Sequence, residues 1–207
     1  MTKSIIITPT IGNNIAELIQ NIESVKSQTV STHHLLVIDG PEHYAKLETL
    51  LKNEYSDTNY TVIPFNTGSK GFYGHRIMAA FAHLHDFEYT FFLDEDNWID
   101  ENHVESLIDT IEKNDYRFSY SLRKIFRKNG EYACLDNCES LGLRSSITGY
   151  HLVDTSSYCF KTNFFSRVSH LWHKGWGADR DFFRTMMNMK SIEGKFDSSN
   201  LHTLNYR

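Results

Sequence analysis

Three consecutive carboxylates, Asp94-Glu95-Asp96, end the apolar and aromatic run Tyr89 to Leu93. Such a run reads as a buried strand, and charges cannot follow it into a dry interior without neutralisation or a cation. The carboxylates therefore belong at a strand's carboxyl end, the edge at which open α/β sheets bind ligands. Oxygen donors of this kind suit Mg²⁺ or Mn²⁺, with phosphate oxygens of a substrate and water completing the shell. The same residues also fit a plainer reading, an acidic helix start in which Asp96 or Asn97 is the cap and the helix dipole favours negative charge. A second cluster lies downstream in Gly175-Trp176-Gly177-Ala178-Asp179-Arg180-Asp181, where glycines, an aromatic ring and two carboxylates share one loop.

The elements that must carry these clusters follow from periodicity. Ser4 to Thr8 and His34 to Ile38 are continuous apolar runs of the kind found in strands buried on both faces of a parallel sheet. Pro9 to Asn13 forces a turn, and Asn13 or Asn14 can cap a helix whose apolar positions are Ile15, Leu18, Ile19, Ile22 and Val25. Asp39-Gly40 stops the second strand and Pro41 opens a second helix. A third strand is expected over Tyr60 to Pro64 and a helix from Gly74 through Leu84. Strand and helix alternate through this half, which predicts right-handed crossovers and helices on both faces of the sheet. Beyond Trp98 the pattern predicts a helix over Glu101 to Lys113, then a hairpin through Lys128-Asn129-Gly130-Glu131. A short strand at Tyr158 to Phe160 and helices around Phe164 to Trp172 and Phe182 to Met187 complete it.

With 207 residues, 40% hydrophobic and 23% charged, the chain is expected to fold as one domain of 1–207. Residues 1–98 form the first half of that domain and 99–207 the second. A net charge of −5 without a basic stripe argues against nucleic acid as a partner. No run approaches the roughly 18 apolar residues of a membrane helix, so a cytoplasmic protein is expected. Cys134, Cys138 and Cys159 lack a CxxC pair and fit reduced thiols, and the spacing of Cys134 and Cys138 is wrong for zinc.

Several of these segments recur in one family in the same order. Ile5 to Asn13, Val37-Ile38-Asp39-Gly40, Gly71 to Arg76, Asp94-Glu95-Asp96 and Ala178 to Phe182 resemble the motifs of the family 2 glycosyltransferases, Asp94-Glu95-Asp96 corresponding to their DxD motif. The resemblance spans nearly the whole chain. It implies a GT-A fold, an α/β class with a mixed, mostly parallel Rossmann-like sheet and helices on both faces. It also implies transfer of a sugar from a nucleotide diphosphate donor, with 1–98 as the nucleotide-binding half and 99–207 as the acceptor-binding half. Two departures stand out: His75-Arg76-Ile77 replaces the usual Ala-Arg-Asn, and Ala178 replaces an acid.

The resemblance assigns Thr8, Pro9, Thr10 and Ile11 to the nucleoside, and Asp94 and Glu95 to the donor side. Asp96 is expected as the direct ligand of Mn²⁺ or Mg²⁺, and His202 as a further ligand or a structural histidine. Asp39 either accepts from base or ribose, or forms the turn beside Gly40. Arg76 either faces the diphosphate or is a solvated helix arginine. Asp179 is expected as the general base, and the displacement it serves inverts the anomeric carbon. Trp176 beside Gly177 either stacks on a sugar or is a core residue, and Asp181 either meets the acceptor or caps the following helix. The donor implied is a UDP-sugar and the acceptor a glycan or lipid-linked hydroxyl of surface polysaccharide synthesis, at the inner face of a membrane. Two other classes share the half-domain: a nucleotide- or partner-binding module without turnover, and a sugar nucleotidyltransferase, which needs an arginine that Pro9 to Asn13 lacks.

Overall fold

The computed structural model describes residues 3–136, 153–193 and 195–207. The first strand, β1 (Ser4–Thr10), pairs in parallel with β2 (Thr32–Asp39) on one side and β4 (Tyr89–Phe92) on the other, and β3 (Asn59–Ile63) extends the sheet beyond β2. Beyond β4 the sheet turns antiparallel through β8 (Tyr158–Lys161) and β6 (Phe118–Phe126). It continues through β9 (Phe196–Tyr206), parallel to β6, to β5 (Trp98–Ile99), with β7 (Tyr132–Leu135) as a hairpin partner of β6. The result is the mixed α/β sheet that the sequence predicts.

Alternation along the strands assigns the helices to two faces. Ile5 and Ile7 of β1, Val37 of β2 and Phe92 of β4 share one core with α3 (His75–Phe81), α5 (Thr162–Val168) and α6 (Ala178–Glu193). On the opposite face Ile6, Tyr89 and Phe91 pack with α4 (His103–Asn114). There too, Leu36 and Ile38 meet α1 (Ile15–Lys26) and α2 (Pro41–Thr49), whose C-terminal end is a π-helical turn. Asn14 caps α1 by accepting from the Ala16 amide, and Pro41 is the first residue of α2, as expected from their types.

The first core is unusually aromatic. Trp172 is fully buried, with its ring centroid 5.1 Å from that of Phe182 and 5.7 Å from that of Tyr158. Phe118 stacks on Phe196 at 4.3 Å. Offset and edge-on ring pairs of this kind add to the transfer energy of the buried area.

The second half departs from the sequence-based expectation in two places. The segment Phe196 to Tyr206 has too many polar residues to read as a strand, yet β9 runs between β6 and β5 because its flanking strands supply both sets of backbone partners. The helix α6 begins at Ala178, so Asp179 and Asp181 lie in its first turn and not in a loop. Among the cysteines, Cys159 is buried and Cys134 exposed, while Cys138 lies outside the described residues. No described helix is long and apolar enough to cross a membrane.

Because Trp172 joins α3, β4, β8 and α6 through one ring, truncating it should leave a cavity that none of them can close. Trp172→Ala is expected to destabilise the fold by about 3 to 5 kcal/mol, read from chemical denaturation at constant m-value.

Candidate active site

A cleft of about 600 Å³ opens at the carboxyl ends of β1, β2 and β4. Pro9, Thr10, Ile11, Asp39, Asp94, Glu95, Asp96, Trp176, Gly177 and Asp179 all line it, so the chain brings together most of the residues singled out by type and spacing.

The acidic turn is held from three sides. Asn21 of α1, fully buried, donates from Nδ2 to the carbonyls of Asp94 (2.9 Å) and Asn97 (3.0 Å). The Asp94 amide donates to Ser156 Oγ at 3.0 Å. Glu95 turns back onto the first loop, accepting from the Thr10 hydroxyl and from the amides of Ile11 (3.2 Å), Gly12 (3.0 Å) and Asn13 (3.4 Å). Its negative charge thus fills a ring of backbone N–H groups, a role that leaves little capacity for a nucleotide. Glu95 and the Thr10 hydroxyl build the loop, in contrast to the expected contact with the donor.

Asp39 is similarly engaged at the other end of the cleft. Its Oδ1 accepts from the Thr67 amide (2.6 Å) and hydroxyl (3.0 Å), and its Oδ2 from the Gly68 amide (2.7 Å). Gly68 is required there, since a Cβ would sit 2.7 Å from that Oδ2 and 2.3 Å from the Tyr73 carbonyl oxygen. A carboxylate offers about four acceptor sites, so one remains for a ligand N–H or hydroxyl.

The loop after β3 interlocks with the segment before α6. The Trp176 amide donates to the Gly71 carbonyl at 3.1 Å. His75 Nδ1 lies 3.2 Å from the Lys174 carbonyl and 3.1 Å from that of Gly175. Both partners are acceptors, so Nδ1 carries the proton. Burial lowers the pKa of His75 despite those two carbonyls, which keeps the ring neutral and leaves Nε2 as an acceptor. A Cβ on Gly175 would stand 2.2 Å from the Gly71 carbonyl oxygen, so only glycine permits this approach. Trp176 itself is 73% exposed, which excludes the core alternative and leaves its face open at the rim, where the Arg180 guanidinium stands 5.1 Å from the ring centroid.

Charge distinguishes the floor. Burial first, then Asp154, Asp96 and Asp179, hold the Asp94 carboxyl well above the usual carboxylate range. Burial, then Asp154, pushes Asp179 up to about 6, opposed by the Arg180 amide and guanidinium. Asp96 is raised as well, by loss of solvent and then by Glu17, Glu95 and Asp154. Carboxyls raised by one another mark a place short of positive charge. Among the described residues no group of three His, Cys, Asp or Glu side chains is arranged to hold a metal ion. The donor set is nevertheless all oxygen, which fits a hard cation held by one or two carboxylates together with substrate phosphate.

Four expected residues lie elsewhere. Thr8 is fully buried, its hydroxyl 3.0 Å from His34 Nε2, because its side chain points away from the strand end. Arg76 lays its guanidinium 3.3 Å from the centroid of the Phe72 ring, with Nε buried and unpartnered, and does not line the cleft. His202 sits in β9 opposite Leu122, where burial and then Lys124 lower its pKa, and it does not line the cleft with Asp96. Asp181 pairs with Lys174 (3.0 Å) and Arg184 on the outer side of α6, neither capping the helix nor facing the cleft.

Conversely, Arg123, Asp154 and Tyr206 line the cleft without having been singled out by motif, and His75, noted only as a departure from the usual Ala-Arg-Asn, lines it too. Arg123 is buried and paired with Asp136 (2.7 Å) and Asp154 (3.4 Å). A charged residue in the strand-like run Phe118 to Phe126 was its one available signal; for Asp154 the sequence offered only a turn-forming Asp-Thr-Ser.

Comparison with known proteins gives the family and the fold. The model of a family described as Glycosyl transferase family 2 matches residues 5–183. S. aureus TarS superposes with a TM-score of 0.67 at 13% identity, covering 99% of this chain and 36% of TarS. Its 1–349 fragment in complex with UDP gives 0.65 at 14% identity, covering 99% of this chain and 60% of the fragment. The mannosyltransferase PcManGT from Pyrobaculum calidifontis, solved with GDP-Man and Mn²⁺, gives 0.64 at 12% identity, covering 95% of this chain and 54% of its own. The chain thus spans between about a third and 60% of these proteins and shares their GT-A glycosyltransferase fold. No curated protein sequence matches it.

A carboxyl that holds its proton more tightly in the folded chain than in the unfolded one costs stability wherever it is ionised. For Asp179 that cost is complete above about pH 6 and absent below about pH 4. Asp179→Asn is therefore expected to raise stability at pH 7 by about 1 to 3 kcal/mol, with the gain vanishing at pH 4. Thermal unfolding of both proteins across that range reads the effect.

Proposed function

The chain belongs to glycosyl transferase family 2, and from that membership we propose that it moves a sugar from a nucleoside diphosphate sugar to a hydroxyl of a glycan or lipid-linked acceptor, with inversion. A UDP-sugar is the donor we favour, surface polysaccharide synthesis the setting and Mn²⁺ or Mg²⁺ the cofactor. TarS has been solved with UDP and UDP-GlcNAc, and PcManGT with GDP-Man and Mn²⁺. The observation that carries the reading is the convergence of Asp94, Asp96 and Asp179 with Asp39 and the first loop in one cleft.

In this reading the loop Pro9 to Ile11 and the open acceptor site of Asp39 receive the nucleoside. Asp96, on the exposed side of the acidic turn, and Asp94 would hold the divalent cation, which when bound offsets the negative charge developing on the departing nucleoside diphosphate. Asp179 receives the acceptor's hydroxyl proton as that oxygen forms its bond to the anomeric carbon. The bond from that carbon to the diphosphate oxygen breaks, and the leaving group departs with the electron pair on the opposite face. Trp176, open at the rim, gives the incoming sugar an apolar face to stack on.

A base raised to about 6 is largely ionised at neutral pH while keeping useful proton affinity. Transfer is therefore expected to rise with pH through about 6 and to level above it.

Two variants separate the roles. Asp96→Asn should abolish Mn²⁺-dependent UDP binding in calorimetric titration. Asp179→Asn should bind UDP and Mn²⁺ as the parent does but lose donor transfer and hydrolysis by about 100-fold or more. Full turnover by Asp179→Asn would refute the base assignment.

A further inference from the structure

Asp154 is the carboxylate of the cleft to which the proposed mechanism gives no task. It is 6% exposed and belongs to the floor, and it opens the turn Asp154-Thr155-Ser156 that leads into β8. Its Oδ1 accepts from the Ser156 amide at 2.9 Å and its Oδ2 from Arg123 at 3.4 Å. The Ser156 hydroxyl in the same turn accepts the amide of Asp94 at 3.0 Å, so the position of Asp154 is fixed to that of the acidic turn. Asp154 also acts on the charges of both Asp94 and Asp179, which places it near the cation end and the base end of the cleft together.

A carboxylate ion-paired with a guanidinium and held by a backbone amide is suited to accepting hydrogen bonds from a ligand. No third carboxylate is needed for the cation, since one or two carboxylates with substrate phosphate and water complete the shell of Mg²⁺ or Mn²⁺. One acceptor site on each oxygen is used and a second on each remains. In a cleft this rich in negative charge, those sites take hydrogen-bond donors and exclude anions.

We propose that Asp154, oriented by Arg123 and the Ser156 amide, accepts hydrogen bonds from adjacent hydroxyls of the transferred sugar and so selects a neutral sugar with a free vicinal diol. The spacing of two carboxylate oxygens matches that of neighbouring ring hydroxyls. A sugar bearing its own carboxylate on that edge would face Asp94, Asp154 and Asp179 and be repelled. A sugar lacking one of the hydroxyls would leave a buried acceptor unpaired, the situation in which enzymes discriminate most strongly.

The inference rests on the reading of the cleft as a nucleotide-sugar site, and the test separates the two. UDP with Mn²⁺ is first titrated into the parent; absence of binding overturns the nucleotide-sugar reading itself, before any sugar is compared. With the nucleotide sugar that the parent hydrolyses fastest, kcat/KM is then measured against its monodeoxy analogues and the corresponding uronic acid. The parent should reject at least one monodeoxy analogue by about 100-fold or more, and the uronic acid as strongly. In Asp154→Asn the discrimination against that monodeoxy analogue should shrink below about 10-fold, with the Kd for UDP and Mn²⁺ within about twofold of the parent. Undiminished discrimination in the variant, or an equal loss of bare UDP affinity, would overturn the assignment in favour of a structural role. Should Asp154→Asn fail to fold, the parent panel still decides: no rejection of any monodeoxy analogue refutes the proposal.

Discussion

Mutual repulsion between carboxylates is the constraint around which this molecule is built. Asp94, Asp154 and Asp179 come from three distant stretches of chain and face one cleft, with Asp96 beside them, and burial raises Asp94 and Asp179 before their neighbours add to it. Left to themselves these groups would separate or keep their protons. They stay because each is tied to backbone or to a buried donor: Asp94 through Asn21 and Ser156, Asp154 through Arg123 and the Ser156 amide, Asp179 through the Arg180 amide at 2.8 Å. In the neighbouring aromatic core Trp172, Phe182, Tyr158 and Phe118 bury their rings against one another.

Glu95 shows a second use of the same chemistry. One carboxylate of the acidic turn is spent on the first loop, binding the hydroxyl of Thr10 and three successive amides. Those bonds hold the first loop against the acidic turn. On the open side, His75 and the Trp176 amide tie the β3–α3 loop to the segment before α6. The two halves of the chain are thus tied here, and again at the floor, where the Asp94 amide donates to the Ser156 hydroxyl.

Much of the first half was legible because its signals are local. Apolar runs that end in Asp39 or Asp94 must be strands ending at a polar edge, and Asn14 and Pro41 announce helix starts by their own chemistry. The later half was less legible for equally physical reasons. The polar segment Phe196 to Tyr206 becomes a strand only because β6 and β5 flank it, and that placement keeps His202 out of the cleft that Asp96 lines. Thr8 and Arg76 carry suitable groups at suitable positions in the chain. One turns into the sheet toward His34 and the other folds onto Phe72, and neither choice can be read from sequence spacing.

The residue order of this chain thus determined by itself where strands stop and which carboxylates stand at their ends, since burial forbids an unpaired charge inside a strand and each stop is written in adjacent residues. Only the tertiary structure decided which of those carboxylates share a cleft, which are consumed by backbone amides, and that Arg123 and Asp154 join them. Hydrogen bonds and ion pairs between residues tens of positions apart settle those questions, and no local pattern encodes them.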